Sequence, residues 1–131
     1  MTDGNWVFDR AIGLMDEQNR WNGETRTSDT EEYRVRTLGI LNVLRHELYP
    51  YSDTFTAQAG GKRAICPELK TMEQPIDLDD AVAQGIMPYG LAAHLLLGEN
   101  DSMAAFFFQR YGELTYAIGC RKAAVWEDIR A

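Results

Sequence analysis

Hydrophobic residues in this chain recur at intervals of three and four over four stretches, a spacing that predicts helices. Over residues 5–17, Val7, Phe8, Ala11, Ile12, Leu14 and Met15 make a broad apolar face, with Asp3 placed to cap its start. A polar, glycine-containing loop follows over 20–27. The second stretch opens on Ser28-Asp29-Thr30-Glu31, which fits a capping box: the serine hydroxyl and the glutamate each satisfy a backbone N–H that has no partner inside the helix. Tyr33, Thr37, Ile40, Leu41, Leu44 and Leu48 then form the buried stripe, and Arg34, Arg36, Asn42, Arg45 and Glu47 the solvent side. Pro50 closes this helix, because a proline pushes the residue before it out of the helical region.

The helical period stops over 51–76. Residues 54–58 alternate, Gly60-Gly61 can supply the positive φ of a tight turn, and 62–66 can return, so a small hairpin or ordered loop is expected there. Pro67 and Pro75 bracket an irregular stretch, and a connection this long is usually a functional arm or disordered.

The third stretch opens at Asp77, with Asp79 and Asp80 where the helix dipole favours negative charge. Leu78, Val82, Ile86, Tyr89, Ala93 and Leu96 line one side. Pro88 falls inside the pattern, so either the helix kinks there or a second one begins. Leu95-Leu96-Leu97 reads as apolar all round, which suits a central helix. The fourth stretch starts at Asn100 or Asp101 and puts Met103, Phe106, Phe107, Tyr111, Leu114 and Ile118 on one face. Phe106, Phe107 and Phe108 cannot all point inward, so at least one is expected to meet a partner or groove. The fold expected is all-α, a small bundle of four to five helices with a long irregular or hairpin arm between the second and third. One domain spans 1–131, with an arm at 51–76 and a tail at 119–131.

Composition narrows the function. A chain of 131 residues supports one core. Cys66 and Cys120 are too few for a disulfide framework and form no CxxC, the amino terminus lacks a signal-peptide pattern, and no apolar run approaches the ~20 residues of a membrane span. The chain reads as a soluble protein made in a reducing cytoplasm. Its net charge of −7 is concentrated over 68–101, where Lys70 is the lone base among Glu68, Glu73, Asp77, Asp79, Asp80, Glu99 and Asp101. Without a basic patch, sequence-specific nucleic-acid binding is disfavoured, although a negative surface suits DNA that must slide past without sticking.

Catalytic motifs do not hold up. His46-Glu47-Leu48-Tyr49-Pro50 begins like HExxH, but a proline stands where the second zinc ligand must be. His46 reads as a helix-end residue and His94 as a hydrogen-bonded or interface histidine. The two histidines and two cysteines match no finger spacing, the aspartates suit helix starts better than a catalytic pair, and Gly60-Gly61-Lys62 lacks the phosphate-loop frame. Trp6, Trp21 and Trp126 read as core or rim packing, with Trp126 the best subunit anchor of the three. No catalytic residue, metal or cofactor is expected, and Phe55, Phe106, Phe108, Trp126 and Ile129 are the candidate subunit or partner contacts.

One resemblance rests on the order of these elements. A helix, a capped helix, a variable arm, then Pro-Ile-Asp-Leu-Asp-Asp-Ala, Ile-Met-Pro-Tyr-Gly-Leu-Ala-Ala-His-Leu-Leu-Leu-Gly-Glu-Asn-Asp and Ala-Ala-Phe-Phe-Phe-Gln-Arg-Tyr-Gly-Glu-Leu follow in sequence. This order resembles the head–tail connector (adaptor) proteins of long-tailed phages and prophages over roughly residues 5–50 and 77–115. The chain departs from the family in its longer 51–75 arm with Gly60-Gly61. The resemblance implies a virion structural protein, not an enzyme, made in the bacterial host cytoplasm. Such proteins form rings, often of twelve subunits, between the portal protein and tail or head-completion proteins, with DNA passing through. The alternative from another class is a small helical protein-binding adaptor or regulator acting as a dimer through residues 106–108.

Overall fold

The computed structural model describes residues 2–52 and 67–130, with side chains through Cys120. Among the described residues there are five α-helices and no strands: α1 (Gly4–Leu14), α2 (Glu31–Leu48), α3 (Asp80–Ala83), α4 (Met87–Leu96) and α5 (Asp101–Arg130). Short 3₁₀ turns at Ser28–Thr30 and Tyr49–Tyr51 flank α2. The protein is an all-α bundle, as its periodicity predicts.

Each boundary has a local cause. Asp3 accepts a hydrogen bond from the Trp6 amide at 2.9 Å and starts α1. The helix stops at Leu14, short of the expected 17, because Asp16 takes a left-handed φ of 59°. That turn lets the Glu17 N–H reach the Ile12 carbonyl at 3.1 Å, satisfying an end carbonyl of the helix. The capping box before α2 is displaced by one residue from the one expected. Thr27 and Thr30 form it, and the buried Thr30 hydroxyl accepts from the Thr27 N–H at 3.0 Å and donates to the Thr25 carbonyl at 2.7 Å. Pro88 marks a new helix and not a kink: α3 ends at Ala83, and α4 carries Pro88 in its first turn, where a missing N–H costs nothing. At the α4–α5 turn Gly98 sits at φ 93°, a conformation open to glycine, and donates its N–H to Asp101. Asn100 accepts from the Met103 amide at 3.2 Å and caps α5.

Helix α4 is the centre. It packs against α1, α2 and α5, and all its residues except Tyr89 and His94 are buried. The core runs from Val7, Phe8, Ala11 and Ile12 of α1, through Leu41, Leu44 and Leu48 of α2, to Leu91 and Leu95 of α4 and Phe107 of α5. Gly90 is part of this packing. A Cβ there would meet Leu44 Cδ2 at 2.8 Å and the Tyr111 ring at 2.9 Å, so α5 crosses α4 where α4 has no side chain.

Three assignments along the helices need correction. Arg45 is not on the solvent side of α2 but buried, donating to the Pro67 carbonyl. The cause is the segment 67–79, which lies across the bundle with Leu69 and Ile76 in the core. Asn42 also takes part, exchanging two hydrogen bonds with the Leu69 backbone at 2.7 and 3.0 Å. Leu97 is outside the core, 57% exposed, because α4 ends at Leu96 and Leu97 turns extended. Phe106 is not on the buried face of α5; Phe107 is. The hairpin expected over 54–66, and Cys66 with it, lies outside the described residues. At the other end, α5 continues through Arg130.

Candidate interaction surface

The three phenylalanines of α5 separate by roughly 100° per residue, which sends them to three environments. Phe107 is buried on α4, with its ring 6.3 Å from that of Tyr89. Phe106 leans edge-on against Phe107 at 5.5 Å and remains 60% exposed. Phe108 is half-buried and meets the His94 ring edge-on at 5.1 Å. Of the five candidate contacts, the structure thus brings Phe106 and Phe108 to either side of Phe107. Phe55 lies outside the described residues, and Trp126 and Ile129 belong to the part of α5 whose side chains are not described.

Farther along, α5 presents Gln109, Gly112, Glu113, Tyr116 and Cys120 to solvent, with Tyr116 76% exposed. Its inward side (Tyr111, Leu114, Ile118) is half-buried against the bundle. Gly119 lies where a Cβ would come within 3.2 Å of the Tyr51 ring, so Tyr51 backs the helix at that level.

Two tyrosine–glutamate pairs tie α2 to the α4–α5 hairpin. The Tyr33 hydroxyl donates to Glu99 beside the turn, and the Tyr111 hydroxyl donates to Glu47 at 3.1 Å. Burial, then the hydrogen bond to the Glu99 carboxylate, pushes the Tyr33 phenol well above its usual value. Burial and the Glu47 charge do the same to Tyr111. In both pairs the neutral phenol is the form the fold holds.

The polar residues weighed for chemistry have local partners. His46 Nδ1 lies 2.8 Å from the Asn42 carbonyl, one turn back on its own helix. Asp79 exchanges hydrogen bonds with the buried Ser52, and Asp80 accepts from the Thr2 hydroxyl at 3.3 Å. Among the described residues no three His, Cys, Asp or Glu side chains group to hold a metal ion. No helix is long and apolar enough to cross a membrane, among the same residues.

Burial opposes ionisation of Asp9, but hydrogen bonds from Arg26 and Thr25 outweigh it and hold the carboxyl below its usual range. Arg26 approaches Asp9 at 3.0 Å.

Two surface features escape the periodicity argument. On α1, Arg10 stacks over the Trp6 ring, 4.8 Å from its centroid, beside a groove that also includes Leu14 and Tyr89. The signal was present: an aromatic and a cation stand one turn apart on the polar edge of the helix. On α2, Val35 and Val43 are 74% and 53% exposed, eight positions apart on one face. The packing role expected of Trp21 is wrong, since this residue is 96% exposed in the loop before α2.

Compared with family models, curated proteins and solved structures, the chain matches none.

Proposed function

We propose that this protein is a head–tail connector subunit, a virion structural protein that assembles into a ring between portal and tail through which DNA passes. One observation carries the reading. Residues of the resemblance that lie apart in the chain, from Gly90 to Tyr111, form a single packing unit: Gly90 lies beneath Tyr111, His94 meets Phe108, and Phe107 is buried on α4. A motif whose members touch one another describes a specific helical hairpin, whereas unrelated apolar helices share only a period.

The surface supports the same reading. Glu68, Glu73, Asp77, Asp80, Glu99 and Asp101 are all exposed, and negative surface charge repels the phosphate backbone and leaves DNA mobile. Phe106, Tyr116, Val35 and Val43 remain in solvent on a single subunit, as expected of faces that a neighbouring subunit covers.

The test is electron microscopy of the full chain in negative stain, alone at high concentration and mixed with a portal protein encoded beside it. Ring-shaped particles are expected in at least one of these preparations. A discrete dimer in every condition would replace this reading with the dimeric adaptor. Absence of portal, capsid and tail genes around the coding sequence would remove the connector reading altogether.

A further inference from the structure

The outer face of α5 carries a pattern of shape and charge that the bundle leaves in solvent. Between Ser102 and Cys120 the exposed positions lie along one side of the helix, and their spacing reads the same from either end, with Tyr111 midway. Phe106 and Tyr116, 60% and 76% exposed, stand equally far from Tyr111 on its two sides. Over the same stretch the helix has one base and one acid, Arg110 and Glu113, which also straddle the midpoint. Their side chains lie 3.4 Å apart and are 47% and 52% exposed, so both remain open to a further partner.

At roughly 100° per residue, Phe106, Arg110, Glu113 and Ala117 follow one edge of this face, and Ala105, Gln109, Gly112 and Tyr116 the other. All of them are exposed, and Gly112 has nothing within 4 Å of where a Cβ would stand. Lay a second copy antiparallel across a twofold axis beside Tyr111, and each edge meets the same edge of the other copy, run backwards. Phe106 then falls on Ala117 and Arg110 on Glu113. Along the other edge Tyr116 falls on Ala105 and Gln109 on Gly112. Large side chains meet small ones, and the base meets the acid. A parallel pairing in register would instead set Phe106 on Phe106 and Arg110 on Arg110.

We propose that this face of α5 recognises itself: two copies of the chain pair antiparallel through residues 102–120, about a twofold axis beside Tyr111. A twofold contact needs a patch complementary to itself, and this one is, because every pairing across the axis occurs twice. The two alanines and Gly112 let the helices approach closely, with Phe106 and Tyr116 as the aromatic anchors. The two Arg110–Glu113 pairs sit near the axis, so charge as well as shape selects the antiparallel arrangement and a second copy as the occupant. Such a contact closes at two copies and cannot by itself build a ring. It goes beyond the connector reading and does not depend on it.

The test is sedimentation equilibrium and native mass spectrometry of the full-length chain, without portal protein, up to its highest soluble concentration. The unmodified chain is expected to form dimers. Arg110→Glu sets acid against acid and Glu113→Arg base against base, so each is expected to weaken dimerisation about tenfold or more. Mixing the two variants pairs every acid with a base again, and is expected to give mixed dimers about as strong as the unmodified ones. Misfolding cannot produce that recovery. An unmodified chain that stays monomeric, single variants that dimerise undiminished, or a mixture that forms no mixed dimers would each overturn this contact and leave the ring reading standing. Dimers that follow the expected pattern and persist unchanged with portal protein would keep the contact and remove the ring reading.

Discussion

Helices α4 and α5 are joined by one tight turn and are both rich in apolar residues, yet they use them in opposite ways. Helix α4 is short and enclosed, and nearly every position is core. Helix α5 is three times as long, 30 residues against 10, and of its first two-thirds only Ala104 and Phe107 are fully buried. The difference lies in their neighbours. Helix α4 has α1, α2 and α5 around it, whereas α5 packs chiefly on α4 and on the Tyr49–Tyr51 turn. Hydrophobicity that is enclosed in one helix is, in the other, mostly half-buried or in solvent among the residues whose side chains are described.

The comparison breaks most sharply at Leu91 and Leu95. Truncating either to alanine leaves a cavity in the enclosed helix and is expected to cost about 2–5 kcal/mol in chemical denaturation. A loss under ~1 kcal/mol would mean that α4 is not the centre of the bundle. Gly90→Val comes next, because the added methyls push Leu44 and Tyr111 apart; a loss of about 1–3 kcal/mol is expected from overpacking.

The tyrosine pairs give a smaller, pH-dependent effect. The fold raises both phenol pKa values, so their contribution is complete below the unfolded tyrosine value near 10 and disappears as pH climbs through the folded values. Denaturation midpoints should therefore fall above about pH 10, and Tyr33→Phe with Tyr111→Phe should flatten that fall. At neutral pH each substitution is expected to cost about 0.5–1.5 kcal/mol. A profile equally steep in the double variant would assign the alkaline loss to other groups.

Smallest of all, Phe106→Ala should leave monomer stability within about 0.5 kcal/mol, since its ring is mostly in solvent. A loss like that of Leu91 would erase the contrast between the two helices.

The sequence made the helices legible because their stripes are long and several of their boundaries are chemical: Asp3, Pro88 and Gly98 each act where a rule says they must, whereas Tyr49 before Pro50 keeps a helical conformation and the chain turns on into the Tyr49–Tyr51 3₁₀ turn. It misplaced residues whose fate depends on distant partners. Arg45 sits on the polar side of α2 by period, and is buried because the Pro67 carbonyl arrives from 22 residues away. Phe106 and Phe107 differ by one step, and only the position of α4 decides which goes in. Thr30 displaced the expected Ser28 box because its hydroxyl also bonds to the Thr25 carbonyl, a contact no local pattern signals. Among the candidate contacts, the exposure of one phenylalanine was legible from three in a row. The Trp6–Arg10 groove was not, since a groove needs a second wall and the α3–α4 turn comes from seventy residues later.

The close fit of Gly90 under Tyr111 has a consequence for recognising kin of this chain. Size at one position limits size at the other, and the Tyr111 hydroxyl extends the constraint to Glu47. A related sequence carrying alanine or serine at 90 would need a smaller ring partner at 111, and would then have no use for an acid at 47. Three positions on three helices should therefore change together. Such compensated triplets can trace ancestry where overall identity has faded.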